Sequence, residues 1–387
     1  MIPQVNKIAV FHNCDLVGSL QMTPDGRSCA FEYSREWLAN GFALSPLELP
    51  MTSDMIFSEP DKFDRNFAVF EDSMPDGYGQ YLIDRMLRKS GLQLRNLTPL
   101  QRLAIVGSSG MGALRYEPTV NLDSVRSGVS IDELDEIQRK ALEILSEKGE
   151  GDESLLYYNS ANSGGARPKI VMADSDGSHW LVKFRHTYDS AEIGREEYLY
   201  MNTAAKCGIN VPRTRLLKDR YFAIERFDIE NGKFVHVVTA AALLKSDFRN
   251  QDVDYTNLLA LTGYLTQDPL QVEEMYRRMV FNLVCDNKDD HAKNFSFICR
   301  DGVWSLAPAY DITYSPEGSN GQHATSLFYD GNPARDLVIK AGTKIRIHKS
   351  DFLHHISDKC RTNYCRFSVG IKPLRGFFPA SAGHHQN

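Results

Sequence analysis

Between Cys285 and Asp311 the chain reads CDNKDDHAKNFSFICRDGVWSLAPAYD, and this stretch gathers the residue types that move a phosphoryl group. An acidic loop, Asp286-Asn287-Lys288-Asp289-Asp290-His291, is followed by an amide at Asn294. A hairpin-like segment turning at Asp301-Gly302 then leads to Asp311. An aspartate five residues before an asparagine, with a second aspartate beyond a hairpin, supplies what such a transfer needs. One carboxylate can orient the attacking hydroxyl, while an amide and another carboxylate hold magnesium against nucleotide phosphates. The competing reading is an ordinary acidic loop before a solvated strand end, and Asp-x4-Asn alone does not exclude it. The segments that would have to position these residues weigh against it.

Directly upstream, Val272, Met275, Tyr276, Met279, Val280, Leu283 and Val284 recur at i, i+3, i+4 spacing, predicting an amphipathic helix that delivers the chain to the acidic loop. The pattern turns helical from Thr239 to Leu261, so an α-rich lobe is expected to carry the loop. Further back, Ser160 to Lys169 contains Gly164-Gly165, followed by a strand at Ile170-Val171-Met172 and a turn at Asp174-Ser175-Asp176-Gly177. Trp180-Leu181-Val182-Lys183-Phe184 is then a strand bearing a lysine. Loop amides can approach an anion closely, and a strand lysine adds fixed positive charge. The bland alternatives are a plain hairpin entry for Gly164-Gly165 and a solvated strand residue for Lys183. A helix from about Ala191 to Cys207 carries Glu196 and Glu197, either of which could pair with Lys183 or face water, and Gly208 ends it. Tyr221 to Asp228 is an apolar strand ending in charge.

The first 128 residues read differently. Short strands are expected at Lys7–Phe11, Asp15–Leu20 and Cys29–Tyr33, with a turn at Pro24-Asp25-Gly26. A tight turn at Met74-Pro75-Asp76-Gly77-Tyr78-Gly79 leads into a helix from Gln80 to Ser90, with Leu82, Ile83, Met86 and Leu87 on one face. Thr98 as cap and Pro99 at the first position open another helix. Gly107 to Gly112 lacks a P-loop lysine and reads as a loop. Ser130-x-x-Glu133 is a capping box opening a helix to about Lys148, and Gly149 to Ser163 is polar and small. The domain boundary is placed before that helix, giving a β-rich part over 1–128 and a core over 129–387, whose nucleotide lobe runs to about 238 and whose α-helical lobe starts at about 239.

A chain of 387 residues can bury a large core and form two domains. Its net charge of −6 argues against a broad basic face for nucleic acid, though local patches or DNA contact through a partner remain open. The seven cysteines are scattered with no CxxC pair, so reduced, mostly buried thiols are expected. Neither a signal peptide nor a bilayer-spanning run is visible, and the expectation is a cytoplasmic protein with no membrane partner. From Asp358 onward, five Lys/Arg stand against one Asp with no clean period, which is atypical for the end of a helical lobe.

Taken together these motifs resemble the HipA family, kinase-fold toxins of bacterial toxin–antitoxin pairs, over roughly Lys7 to Ile356. The N-terminal markers are Leu16-Val17-Gly18, the Met74-to-Gly79 turn (family pattern LPDGWG) and Met111-Gly112-Ala113-Leu114 followed by Pro118. Gly164-Gly165-Ala166-Arg167-Pro168-Lys169 matches the glycine loop, Trp180 to Phe184 the nucleotide-lysine strand and Glu225-Arg226-Phe227-Asp228 the hinge. Asp289 to Asn294 matches the catalytic loop and Tyr310-Asp311 the metal site. The resemblance implies an α+β, protein-kinase-like (HipA-type) fold with a β-rich N-terminal subdomain and an α-helical C-terminal lobe. It implies a serine/threonine protein kinase using ATP and Mg2+, with Asp289 as catalytic base and Asn294 and Asp311 on the metal. Lys183, Glu225, Phe227, Asp228, His291, Gly164 and Gly165 would contact the nucleotide, Glu225 and Phe227 through their main chain. It further implies a helix-turn-helix antitoxin (HipB-like) as partner, DNA contact mainly through that antitoxin, and a protein substrate such as an aminoacyl-tRNA synthetase or another translation protein. Autophosphorylation just before the glycine loop is implied too. The usual serine position is Asn162 here, which leaves the flanking Ser160 and Ser163 as candidates.

Two rival readings stay open: a non-catalytic scaffold of the same family that binds the antitoxin and acts as a transcriptional co-repressor, and a small-molecule kinase on the same fold.

Overall fold

A computed structural model describes residues 2–60, 62–122, 128–147, 152–160, 164–247, 249–250 and 252–345. The chain forms two compact units built from alternating segments. The first holds Met1–Tyr198, Pro212–Asp247 and Ser296–Ala307; the second holds Leu199–Val211, Phe248–Phe295 and Pro308–Asn387.

The first unit opens with β1 (Lys7–His12), β2 (Asp15–Met22) and β3 (Cys29–Tyr33). With β4 (Ile56–Phe57) and β5 (Leu114–Glu117) they form an antiparallel sheet in the order β4-β3-β2-β1-β5. Around it lie α1 (Arg35–Asn40), α2 (Ala68–Glu71), α3 (Gly77–Lys89) and α4 (Pro99–Val106). α4 forms where its sequence signals require: Thr98 and Gln101 close a capping box and Pro99 occupies the first turn, where a missing N–H is harmless. α3 begins at Gly77, three residues earlier than the apolar periodicity suggests, because Asp76 takes the cap position.

A second sheet of this unit, β6 (Lys169–Ala173), β7 (His179–Lys183), β8 (Thr214–Leu217) and β9 (Tyr221–Glu225), runs antiparallel in the order β6-β7-β9-β8. α5 (Leu134–Leu145) follows the Ser130–Glu133 capping box. α6 (Glu153–Asn159) forms inside Gly149 to Ser163, the stretch read from the sequence only as polar and small. Asp152 caps this short helix through the Leu155 N–H, and Leu156 and Tyr157 are its buried apolar residues, beside the buried polar Glu153 and Asn159. So few residues give no readable period. α3, α5 and α6 share one core with the sheet, in which Leu82, Leu87, Ile144, Leu156 and Tyr157 meet Ile170, Trp180 and Val182. α7 (Ile193–Lys206) begins in this unit, and its residues from Leu199 onward belong to the second.

β10 (Ile229–Glu230) and β11 (Lys233–Phe234) form a small ribbon, and β12 (His236–Thr239) pairs with β13 (Ser296–Arg300), which pairs with β14 (Val303–Leu306). The β13–β14 turn places Asp301 and Gly302 at positive φ, 49° and 84°, the conformation a tight two-residue hairpin demands. Thr239 caps α8 (Ala240–Leu243). The helical reading of Thr239 to Leu261 holds only in two pieces, since regular helix resumes at Tyr255.

The second unit is helical: α9 (Tyr255–Thr266), α10 (Pro269–Val284) and α11 (Arg335–Lys344). α10 follows its i, i+3, i+4 pattern, burying Met275, Tyr276, Met279, Val280, Leu283 and Val284. Asp268 accepts the Leu270 N–H at its start and Pro269 sits at the first position. The Glu317–Gly321 segment is tied down: the Gly321 N–H donates to the Glu317 carbonyl and Lys288 Nζ to that of Gly321, both at 2.8 Å. The atypical tail from Asp358 lies outside the described residues. Among the described residues, no helix is long and apolar enough to cross a membrane, and Cys29, Cys207, Cys285 and Cys299 are buried thiols while Cys14 is exposed.

Candidate functional site

In the second unit, α10 ends at Val284, Cys285 closes it as the cap, and the acidic loop begins at once. The loop is anchored by Asn287, whose N–H donates to the Asn282 carbonyl at 3.1 Å and whose side-chain amide donates to Asn282 Oδ1 at 3.0 Å. Two adjacent aspartates then part company. The side chain of Asp290 is fully buried, and that of Asp289 is 59% exposed. Asp290 accepts from the Tyr255 hydroxyl at 2.5 Å, His323 Nδ1 at 2.9 Å, and the backbone N–H groups of Ala324 at 2.9 Å and Thr325 at 3.3 Å. Its own carbonyl takes the Thr325 hydroxyl at 2.5 Å. A buried carboxylate met by this many donors is a fixture, since leaving any of them unpaired would be costly. Burial, and then the neighbouring Asp290 carboxylate, push the Tyr255 phenol well above its ordinary pKa.

Asn294 Nδ2 donates to the Asp289 main-chain carbonyl at 2.7 Å. Only the NH2 end of an amide can meet a carbonyl, so Oδ1 of Asn294 is directed away and keeps its acceptor capacity. Tyr310 Oη donates to the Lys293 carbonyl at 2.6 Å, tying the residue before Asp311 to the residue before Asn294. Asp311 itself has φ of 55°, an uncommon conformation for an aspartate. His291 Nε2 lies 3.9 Å from Asp289 Oδ1. Asn294 and Asp311 offer an all-oxygen donor set, which suits hard Mg2+. No group of three or more His, Cys, Asp or Glu that could hold a metal occurs among the described residues. Two protein oxygens fit an ion that keeps waters and takes phosphate oxygens for the rest.

In the first unit, Lys183 at the end of β7 makes an ion pair with Glu197 of α7, the two side chains being 10% and 2% exposed. The competition between Glu196 and Glu197 resolves in favour of Glu197, while Glu196 is exposed. Lys183 Nζ also lies 5.7 Å from the Phe222 ring centroid. The glycine loop is held at both ends. Gly165 donates its N–H to Asp76 Oδ1 at 2.5 Å and accepts the Tyr78 N–H at 3.1 Å, and Lys169 Nζ donates to the Gly164 carbonyl. Arg167 forks Asp189 with two bonds of 2.9 Å; burial pushes that carboxyl up, but Arg167 and the His186 N–H outweigh it and hold it below its ordinary pKa.

At the expected hinge, Glu225 donates its N–H to the Arg213 carbonyl at 2.9 Å and pairs its carboxylate with Arg213. Phe227 follows in the turn after β9. Asp228 does not offer a side chain to a ligand. It is buried and takes Arg226 Nε at 2.9 Å, Arg226 Nη2 at 2.6 Å and the Gly112 N–H at 2.8 Å. Burial raises its pKa, but the Arg226 guanidinium and the Gly112 N–H prevail and hold it low. Ser160 is buried, its hydroxyl donating to the Tyr157 carbonyl at 2.7 Å. Ser163 and Asn162 lie outside the described residues.

The family model for the HipA-like C-terminal domain matches residues 161–363, more than half of the chain, and that for the HipA N-terminal domain matches residues 8–117. The chain belongs to the HipA family. Its relatives include Y4dM of Sinorhizobium fredii, whose name describes it as a candidate kinase, at 25% identity over 52% of this chain and 50% of that one. The match thus spans half of Y4dM's length. The serine/threonine-protein kinase toxin HipA of Shewanella oneidensis is 23% identical over 77% of this chain and 72% of its own. Among solved structures, the Shewanella oneidensis HipA in complex with HipB and its operator DNA superposes with a TM-score of 0.63 at 20% identity, covering 92% of this chain and 97% of that one. The fold is therefore the α+β, protein-kinase-like arrangement of HipA proteins.

Sequence reasoning missed Asp72, Asp76, Tyr255, His323 and Thr325. Their partners lie far away along the chain, from 33 residues for His323 and Asp290 to 167 for Asp72 and Thr239. The only local hint was an aspartate at a helix start, in Pro75-Asp76-Gly77.

Proposed function

We propose that this HipA-family chain is an ATP- and Mg2+-dependent serine/threonine protein kinase acting as the toxin of a toxin–antitoxin pair. The observation that carries the reading is the division between Asp289 and Asp290: one carboxylate is immobilised in the interior while its neighbour is presented to solvent beside Asn294. A solvated acidic loop has no use for that arrangement, whereas a catalytic base needs a rigid support behind it.

Each residue has a part in the transfer. Lys183, steadied by Glu197, donates to the α- and β-phosphates. Gly164 and Gly165 let loop amides approach the phosphates, and the main chain at Glu225 and Phe227 receives the adenine. Asp289 accepts a hydrogen bond from the substrate hydroxyl and orients it in line. Asn294 Oδ1 and the Asp311 carboxylate hold Mg2+, which when bound neutralises charge on the phosphate oxygens. His291 stays within electrostatic reach of Asp289. Residues up to about 128 serve as the N-terminal subdomain and 129–387 as the kinase core.

The acceptor is a protein, with translation proteins such as an aminoacyl-tRNA synthetase as the first candidates. Self-phosphorylation would fall on Ser163, because the Ser160 hydroxyl is sequestered. The Shewanella relative was solved with HipB and operator DNA, and that likeness supports a helix-turn-helix antitoxin as partner here. The net charge of −6 fits DNA contact made mainly through that partner, in the cytoplasm.

The test is transfer of labelled phosphate from ATP with Mg2+ to the protein itself or to lysate proteins. Wild type is expected to label a target, and Asp289→Ala and Asp311→Ala to lose transfer while remaining folded. Wild type that binds ATP but labels nothing would instead favour a co-repressor scaffold, to be checked by antitoxin-dependent operator binding.

A further inference from the structure

Asp76 occupies the cap position of α3, where an aspartate ordinarily accepts an N–H from its own first turn. It makes no such bond. Its carboxylate instead accepts the Gly165 N–H at 2.5 Å, across 89 residues of sequence. The exchange is reciprocal, because the Tyr78 N–H, an orphan donor of the helix start, goes to the Gly165 carbonyl at 3.1 Å. Both backbone groups of Gly165 are therefore satisfied by one helix terminus.

The fit leaves no slack. A Cβ on Gly77, which has φ of +47°, would lie 2.5 Å from the Gly165 carbonyl oxygen. A Cβ on Gly164 would lie 2.9 Å from Asp76 Oδ1. On the loop's other side, Lys169 Nζ donates to the Gly164 carbonyl. The helix that supplies the clasp is rooted in the core beneath β6 and β7 through Leu82, Ile83 and Leu87. Four residues earlier, Asp72 accepts the Thr239 N–H and hydroxyl, each at 2.8 Å, so the whole Asp72–Tyr78 turn is fixed to the core.

We infer that Asp76 is a positioning residue for the nucleotide: by holding Gly165 it sets the shape of the glycine loop before any phosphate arrives. This rests on the kinase reading proposed above and adds a residue of the N-terminal region to the nucleotide site. A preshaped loop pays no ordering entropy on binding, so its loss should weaken ATP more than it slows transfer.

The experiment uses the full chain as wild type, Asp76→Ala, Asp76→Asn and Gly77→Ala. Three quantities are read: hydrogen–deuterium exchange of the Gly164–Lys169 amides without nucleotide, KM for ATP against kcat, and the thermal midpoint. For Asp76→Ala, exchange should quicken roughly tenfold and KM rise roughly tenfold, with kcat changed less than about threefold. Asp76→Asn keeps an acceptor oxygen and should recover most of both effects, and Gly77→Ala should behave like Asp76→Ala. Unchanged exchange in Asp76→Ala overturns the clasp. Quickened exchange with unchanged KM, or equal losses in Ala and Asn variants that merely follow the thermal midpoint, overturns the positioning role. If wild-type chain shows a protected loop yet binds no ATP, the kinase reading has failed and the nucleotide role falls with it, while the clasp stands on its exchange result.

Discussion

Asp289 and Asp290 share a chemistry and differ only in their surroundings. Asp290 meets four donors in the interior, and Asp289 projects beside Asn294. Substituting them should therefore give opposite phenotypes. Asp289→Asn is expected to cut phosphate transfer by roughly 10²- to 10⁴-fold with an unchanged urea midpoint, the usual worth of a catalytic base. Asp290→Asn is expected to lower unfolding free energy by about 2 kcal/mol, because an amide cannot accept from every donor now satisfied. Lys183 and Glu197 make a third case. Glu197→Ala should destabilise by about 3 kcal/mol in urea titration, since it takes the paired carboxylate from a nearly buried ammonium, and should raise KM for ATP. Much at this scale was readable in the residues. Asp289, Asn294 and Lys183 stand out by spacing and by flanking sequence, whereas the choice of Glu197 over Glu196 turns on which face of α7 is buried, and that is set by packing.

Elements announced themselves where the chain carries its own punctuation. Thr98-Pro99, Ser130-x-x-Glu133 and Asp301-Gly302 act within a few residues, and each appears where local stereochemistry puts it. α6 was hidden because seven residues cannot display a helical period, whereas the gap between α8 and α9 coincides with a polar run, LKSDFRNQDVD over 244–254, that the helical reading of Thr239 to Leu261 passed over. The carboxylate links were hidden for another reason: Asp72 to Thr239, Asp76 to Gly165 and Asp228 to Gly112 join segments at least 89 residues apart. Asp72→Ala tests the worth of such a link. It strips the partner from both the N–H and the hydroxyl of Thr239, the cap of α8, and should cost about 2 kcal/mol of unfolding free energy in a urea titration.

At the scale of the whole molecule, acid sensitivity follows from His236. Burial, opposed only by its bond to the Leu44 carbonyl, pushes its pKa down to about 4. The folded protein thus resists a proton that the unfolded chain accepts once pH falls below the ordinary histidine value of 6.5. Stability from this source is complete above pH 6.5 and is lost as pH falls toward 4, by up to about 3 kcal/mol. His12, against which its ring packs, is also lowered by burial and adds in the same direction. Urea midpoints measured between pH 7 and 4 should fall for wild type, with a shallower fall for His236→Gln.

The alternation of segments between the two units has a practical corollary. The chain changes unit at 198/199, 211/212, 247/248, 295/296 and 307/308. No single cut therefore yields a complete piece: a polypeptide ending at 247 would lack β13 and β14, leaving β12 with a bare edge, and the remainder would carry that hairpin without its neighbour. Expressed separately, such fragments should aggregate, and coexpression should be what returns them to solution.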